Sequence, residues 1–243
     1  MAVRQWSYAK CRMTAIRSGD FMKNELSSAV KAGGITFMIS GFLFAVTFVL
    51  LSFIPQLPSG APGIAEWLTK WRIFNALSNE FIFLAAILLI PGIYSIFSKF
   101  FKRHPIKTIV GCSLVSMSSM TLVFLVIVQG RLCYPVFGIR IPAAMAEYVV
   151  SIYWGGMHTV FLLTAVAVIL IGLCFREFRH FRLLLTFSLI TAVAIIVGAY
   201  PWLIGTRLAL LTQFAFSLWF IVTGGRVGFV SISTPDGSQP DRG

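Results

Sequence analysis

Six long apolar stretches dominate this chain, at about residues 32–54, 74–97, 106–128, 148–174, 183–199 and 208–223. At a rise of about 1.5 Å per residue, the first four reach about 35–40 Å as α-helices and exceed a hydrocarbon core of about 30 Å, while the last two reach about 24–26 Å, near the lower limit for a span. Only 12% of the residues are charged, whereas soluble domains carry about 25%. We therefore predict an all-α polytopic membrane protein, with six transmembrane helices in one bundle.

Lysine and arginine are concentrated in alternate connecting segments. The chain has 20 lysines and arginines, and all but five of them lie in the N-terminal segment, after the second or fourth span, or in the C-terminal tail. The exceptions are Lys70, Arg72, Arg131, Arg140 and Arg207. Cytoplasmic segments collect these residues because positive charge resists translocation. The pattern predicts that both the N-terminus and the C-terminus are cytoplasmic.

The formal net charge of +12 has an ordinary explanation in this topology. The basic residues are spread over the separate cytoplasmic segments, as the positive-inside rule expects, so we do not predict nucleic acid as a partner. The expected partners are the lipid bilayer and, at the cytoplasmic face, anionic lipid headgroups.

Two terminal segments flank the transmembrane domain of residues 32–224. Residues 1–31 form a basic cytoplasmic segment too long for the n-region of a signal peptide. Residues 1–21 lack apolar periodicity and Met22 is a natural alternative start, so one hypothesis is that 1–21 are a mis-assigned extension. Residues 225–243 are polar and rich in Gly, Ser and Pro, which predicts a disordered cytoplasmic tail.

Small residues indicate where helices approach one another. Gly41 and Ala45 on the first span form one candidate contact, and serines in the inner half of the third span form another. A third is the fourth-span series Ser151, Gly155 and Thr159, spaced at i, i+4 and i+8. In the first external loop, Ile64, Trp67, Leu68 and Trp71 predict a short amphipathic helix at the outer surface.

Polar residues within spans are candidates for function, because each is costly in lipid unless it has a partner. Glu80 lies about 9 Å below the outer end of the second span and His158 about 15 Å below the outer end of the fourth. This axial gap of about 6 Å is short enough for the two side chains to meet directly or through a water. Both a structural pair and a ligand or proton site fit these positions. The other candidates, which would share an outward-facing pocket, are Asn75, Asn79, Tyr153, Trp154, Arg207 and Gln213.

Several chemistries lack the residues they need. A two-histidine haem site requires a second intramembrane histidine, and zinc proteolysis requires a His-Glu-x-x-His helix. Aspartyl proteolysis requires paired aspartates within spans, yet the aspartates here lie outside them. We therefore assign no catalytic residue, no metal ligand and no cofactor. Four cysteines distributed over both sides of the membrane do not predict a structural disulfide.

Two spans carry a family resemblance. RIFNALSNE at 72–80 with GIYSIF at 92–97 resembles the corresponding stretch of a family of uncharacterised bacterial six-span membrane proteins. The fourth span is similar too, where His158 precedes an apolar run ending in Ile171-Gly172-Leu173 and a basic turn. Tyr200 and Leu203 also match loosely. The resemblance implies six spans and a bacterial cell (inner) membrane, and the family offers no activity to carry over.

Three functions remain open. The leading interpretation is a non-catalytic inner-membrane protein that binds a small ligand, or is an accessory or stress/immunity-type component, with a membrane protein or a second copy as a candidate partner. Its short loops leave no room for a soluble catalytic domain. The alternative is a small proton-coupled secondary transporter using Glu80 and His158. The third is an intramembrane enzyme acting on lipid or peptide.

Overall fold

In the computed structural model, the part of the chain that is described consists of helices and their connections, without a β-strand. The structure describes the backbone of residues 2–58, 60–139, 141–178 and 180–230, and side chains from Glu25 onward except at 177 and 206. The helices are α1 (Ala2–Ser52), α2 (Ala61–Lys70), α3 (Arg72–Phe100), α4 (Pro105–Cys133), α5 (Ala143–Cys174), α6 (Phe181–Gly198), α7 (Pro201–Ile204) and α8 (Thr206–Phe229). Two short 3₁₀ turns lie at Val136–Gly138 and Phe175–Glu177.

Six of these helices are long and apolar enough to cross a membrane: α3, α4, α5 and α6 whole, α1 over Glu25–Ser52 and α8 over Arg207–Phe229. They confirm the predicted multi-pass, all-α architecture. The short amphipathic helix is also present as α2.

The six long helices form a closed ring. α1 packs on α3, α3 on α4, α4 on α5, α5 on α6, α6 on α8, and α8 returns to α1. Aromatic side chains fill the centre, where the Phe216 ring of α8 contacts Phe44 of α1 at 5.2 Å and Phe161 of α5 at 5.6 Å between centroids. One end of the ring carries residues 53–58, 134–139 and 199–205, here called the loop end; the other carries 101–104 and 175–178, here called the basic end.

Two of the predicted serines of α4 form hydrogen bonds with neighbouring helices. The Ser119 hydroxyl donates to the carbonyl of Ala86 on α3 at 2.8 Å, and the Thr164 hydroxyl of α5 donates to Ser118 Oγ at 3.1 Å. The prediction for Gly41 is also confirmed, because a Cβ there would lie 2.7 Å from the Ser217 carbonyl oxygen of α8. The seam predicted at 151, 155 and 159 is wrong, since all three residues are exposed and a Cβ on Gly155 would meet nothing within 4 Å.

The last helix is longer than the sequence predicted. We expected the sixth span to end at 223 and a disordered tail to begin at 225, but α8 continues to Phe229. Gly224 and Gly228 lie against Gly34 of α1, so closely that a Cβ on Gly224 would be 2.5 Å from the Gly34 carbonyl oxygen. Glycines that break helices in water are used in lipid for close packing. Residues 231–243 of the predicted tail, and the side chains of residues 1–24, lie outside the described residues.

At the basic end, α3 is tied to the last turn of α8 by Lys99. Its ammonium group donates to the carbonyl oxygens of Arg226 at 3.2 Å, Val227 at 2.6 Å and Val230 at 2.5 Å. The last four carbonyls of a helix have no partner within that helix, and a cation at this end also interacts favourably with the helix dipole. Lys99, which we counted only as a cytoplasmic charge, therefore also holds the bundle together.

Candidate ligand-binding cavity

A cavity of about 390 Å³ opens at the loop end. Its apolar walls come from α1, α2, α5, α7 and α8, and include Phe48, Leu51, Ile54, Leu68, Val150, Trp202, Ala209 and Leu210. Its polar lining consists of hydroxyl, indole and amide groups, from Ser52, Gln56, Trp67, Asn75, Gln129, Tyr153, Trp154 and Gln213. Volumes of 300–1,000 Å³ with apolar walls and a few polar groups are typical of small-molecule sites.

The short helix α2 covers one side of this cavity. Gly60 starts it with φ of 82°, a backbone conformation that glycine adopts without strain. The Trp67 indole N–H then donates to the carbonyl of Pro55 at 3.0 Å, and Ile64 is buried. These contacts hold Trp67 and Leu68 against the cavity, so α2 is packed on the bundle through one face.

A second part of the wall is fixed in place by His158 of α5. Its Nδ1–H donates to the carbonyl of Ala199 at 2.8 Å, because a carbonyl oxygen can only accept. The imidazole also contacts the Tyr200 ring at 4.8 Å and the Trp202 ring at 5.7 Å between centroids. His158 thus fixes the turn between α6 and α7 and so positions Trp202, which lines the cavity.

Gln129 of α4 is the most buried of the glutamines that line the cavity. It is 6% exposed, and its Oε1 is buried with no hydrogen-bond partner in the described part of the chain. The backbone just beyond it is anchored, since Arg72 Nε donates to the Cys133 carbonyl at 2.7 Å. A buried polar atom without a partner costs about 1–3 kcal/mol of stability. A ligand that donated a hydrogen bond to Gln129 would remove this cost.

Glu80 and His158 do not form the predicted pair. Glu80 is exposed, and its Oε1 accepts a hydrogen bond from the Tyr134 hydroxyl at 2.8 Å. Partial burial, followed by the hydrogen bond to the Glu80 carboxylate and its negative charge, raises the pKa of Tyr134 to about 12. Within the described residues no hydrogen bond or ion pair joins Glu80 to His158, and α4 lies between their helices in the ring.

Four of the eight candidate residues line the cavity, namely Asn75, Tyr153, Trp154 and Gln213. The other four, Glu80, Asn79, His158 and Arg207, are not among its lining residues. Asn79 is buried against α4, its amide nitrogen 3.5 Å from where a Cβ on Gly130 would lie, and Arg207 is exposed.

Four other lining residues were not candidates from the sequence, because they lie in or beside the loops, where such side chains are usually exposed or used for packing: Ser52, Gln56, Trp67 and Trp202. Gln129 was not among the candidates either. The sequence nevertheless offers a reason to select Gln129, because an amide side chain inside an apolar run needs a hydrogen-bond partner.

No family model, curated protein or solved structure matches this chain. The cavity and its chemistry therefore carry the functional argument. Over the described residues, no group of three or more His, Cys, Asp or Glu side chains is arranged to hold a metal ion.

Proposed function

We propose that this protein is a non-catalytic, small-ligand-binding component of the bacterial inner membrane, with its ligand in the cavity at the loop end. The observation that carries the proposal is the form of that cavity: about 390 Å³, with aromatic walls and, among its lining residues, Gln129, whose amide oxygen is buried without a hydrogen-bond partner in the described part of the chain. Apolar enclosure with a few polar groups favours binding of a small molecule.

In the proposed orientation the loop end faces outward and both termini face the cytoplasm. Support comes from the basic end, where Lys102, Arg103, Lys107, Arg176 and Arg182 collect in two short connections and the helix starts beside them. Positive charge on the cytoplasmic side then leaves the cavity open to the outer face. A ligand would reach it from the outer leaflet or from the medium.

The proton-coupled transporter has less support than ligand binding. A shared proton site requires Glu80 and His158 to interact, yet Glu80 bonds to Tyr134 and His158 to Ala199. The intramembrane enzyme needs a nucleophile beside a base. The imidazole Nδ1 of His158 is used on a backbone carbonyl, and Ser118 and Ser119 serve contacts between helices.

Native mass spectrometry of the purified protein tests the proposal. Ala209 is buried and lines the cavity, so Ala209→Phe should fill part of it, whereas Ala144→Phe makes the same change at an exposed position of α5. We expect a copurifying small molecule on the wild type and on Ala144→Phe, and its loss from Ala209→Phe. Identical bound-mass spectra for the wild type and Ala209→Phe would contradict the proposal.

A further inference from the structure

The charge state of the cavity restricts its ligand. None of the described residues that line it is acidic or basic. Arg72 is not a lining residue, and its Nε donates to the Cys133 carbonyl at the end of α4. An ion moved into such a site has no opposite charge to offset its lost hydration, and this costs several kcal/mol. The ligand that fits this cavity is therefore uncharged.

The polar groups determine what the ligand must carry. A primary amide presents an acceptor oxygen and two N–H donors. The oxygen of Gln129 has no partner, and Asn75 uses its amide nitrogen on the Trp71 carbonyl at 3.1 Å. A head group that donates a hydrogen bond, such as a hydroxyl or an amide, complements these acceptors. A ligand without such a donor would leave the Gln129 oxygen buried and unpartnered.

The walls determine the rest of the ligand. Phe48, Trp154 and Trp202 line the cavity, and the Tyr153 and Trp154 rings meet edge to face at 5.7 Å between centroids. Aromatic side chains gain most from apolar or aromatic groups placed against their faces.

We propose that the cavity binds an uncharged amphiphile, whose apolar or aromatic body lies against these rings and whose hydroxyl or amide head donates a hydrogen bond to Gln129 when the buried amide of this residue turns toward the cavity. This inference rests on the proposed function, since it assigns a ligand class to the same cavity. Lipid-soluble phenols and alcohols belong to this class, and anionic amphiphiles do not.

Three probes of one shape test the inference: 4-hexylphenol, which has a donor; 4-hexylanisole, which lacks one; and 4-hexylbenzoate, which is anionic at pH 7. Leu210 lines the cavity and is half-buried, so Leu210→Cys serves as a reporter. The rate at which N-ethylmaleimide modifies this cysteine is followed on its own peptide by mass spectrometry, in nanodiscs with probes at matched lipid-phase concentrations.

We expect 4-hexylphenol to slow the modification, with an affinity about fivefold above that of 4-hexylanisole, the typical worth of one hydrogen bond. 4-Hexylbenzoate should give no protection. Gln129→Leu should abolish the preference for the phenol, whereas Thr121→Val, on the same helix but away from the cavity, should keep it. The comparison of the three probes on the Leu210→Cys reporter alone does not depend on whether Gln129→Leu folds.

The outcomes separate the two proposals. Equal protection by the phenol and the anisole, or protection by the benzoate, would overturn the ligand class while leaving a binding cavity in place. No protection by any probe would overturn the ligand class. If the mass spectra of the wild type and Ala209→Phe were then also identical, the proposed function would fail with it.

Discussion

Lys99→Met should destabilise the bundle although it changes a residue near the end of a span. The Lys99 ammonium donates to three carbonyl oxygens at the end of α8 and lies 5.3 Å from the centroid of the Phe178 ring. Methionine keeps an unbranched apolar side chain of similar length, so packing along the stem is largely retained. The substitution therefore isolates the loss of the charged group.

The size of the effect follows from those contacts. A hydrogen bond to a charged group contributes about 1.5–3 kcal/mol. The three contributions do not add in full, because the freed carbonyls can reach water at the end of the helix and the ammonium is itself well hydrated in the unfolded chain. We expect a net loss of about 2–3 kcal/mol. For a protein of this size each kcal/mol shifts Tm by about 2–4 °C, which gives a decrease of about 4–12 °C.

Thermal unfolding in detergent, followed by tryptophan fluorescence, measures this decrease. Lys102→Met is the matched control, because Lys102 is exposed and follows the same helix. Lys99→Arg should recover part of the stability, since it restores charged donors with a different geometry. A Tm for Lys99→Met within 1 °C of that for Lys102→Met would refute the proposed link between α3 and α8.

Three further predictions test other parts of the structure. Gly224→Val should lower Tm by more than 5 °C, because even a Cβ there would lie 2.5 Å from the Gly34 carbonyl oxygen. The control Gly155→Val adds the same side chain where nothing lies within 4 Å, so it should change Tm by no more than about 1 °C. Equal effects of the two substitutions would contradict the close contact between α1 and α8. Burial and the charges of nearby cations lower the pKa of His104. Protonation of this residue therefore favours the unfolded chain, and the stability of the protein should fall as the pH drops below about 6.5. His104→Gln should make Tm less sensitive to pH between 7.5 and 5.5, and an unchanged sensitivity would exclude His104 as the cause. A reporter fused near Gly138 should read external and one after Lys102 cytoplasmic, and the reverse result would invert the proposed orientation.

The spans could be predicted from sequence because hydrocarbon thickness sets their length directly. Contacts made by Ser118, Ser119 and Gly41 could be predicted for a similar reason, since small and hydroxyl residues in lipid favour contact between helices. The end of α8 could not be predicted in the same way. Gly224 and Gly228 have the composition of a chain break, and only the nearby backbone of α1 makes them part of a helix.

The pairing of Glu80 with His158 failed for a geometric reason. Depth along the membrane normal was estimated from residue counts, but the order of helices around the ring and the rotation of each helix about its axis were unknown. α4 lies between α3 and α5, so the small difference in depth did not bring the two side chains together. The cavity was predicted more successfully, because Asn75, Tyr153 and Gln213 all lie near one end of their spans, whatever the order of the helices.

The closure of the ring by its first and last helices has a consequence for synthesis at the ribosome. Translation adds about 5–20 residues per second, so α8, which begins at Thr206, emerges roughly 8–30 s after α1, which ends at Ser52. During that interval the Gly34 face of α1 lies in the membrane without the helix it fits. Any truncated product that lacks α8 keeps this face open, and so presents to membrane proteases and insertion factors a surface that the finished protein hides.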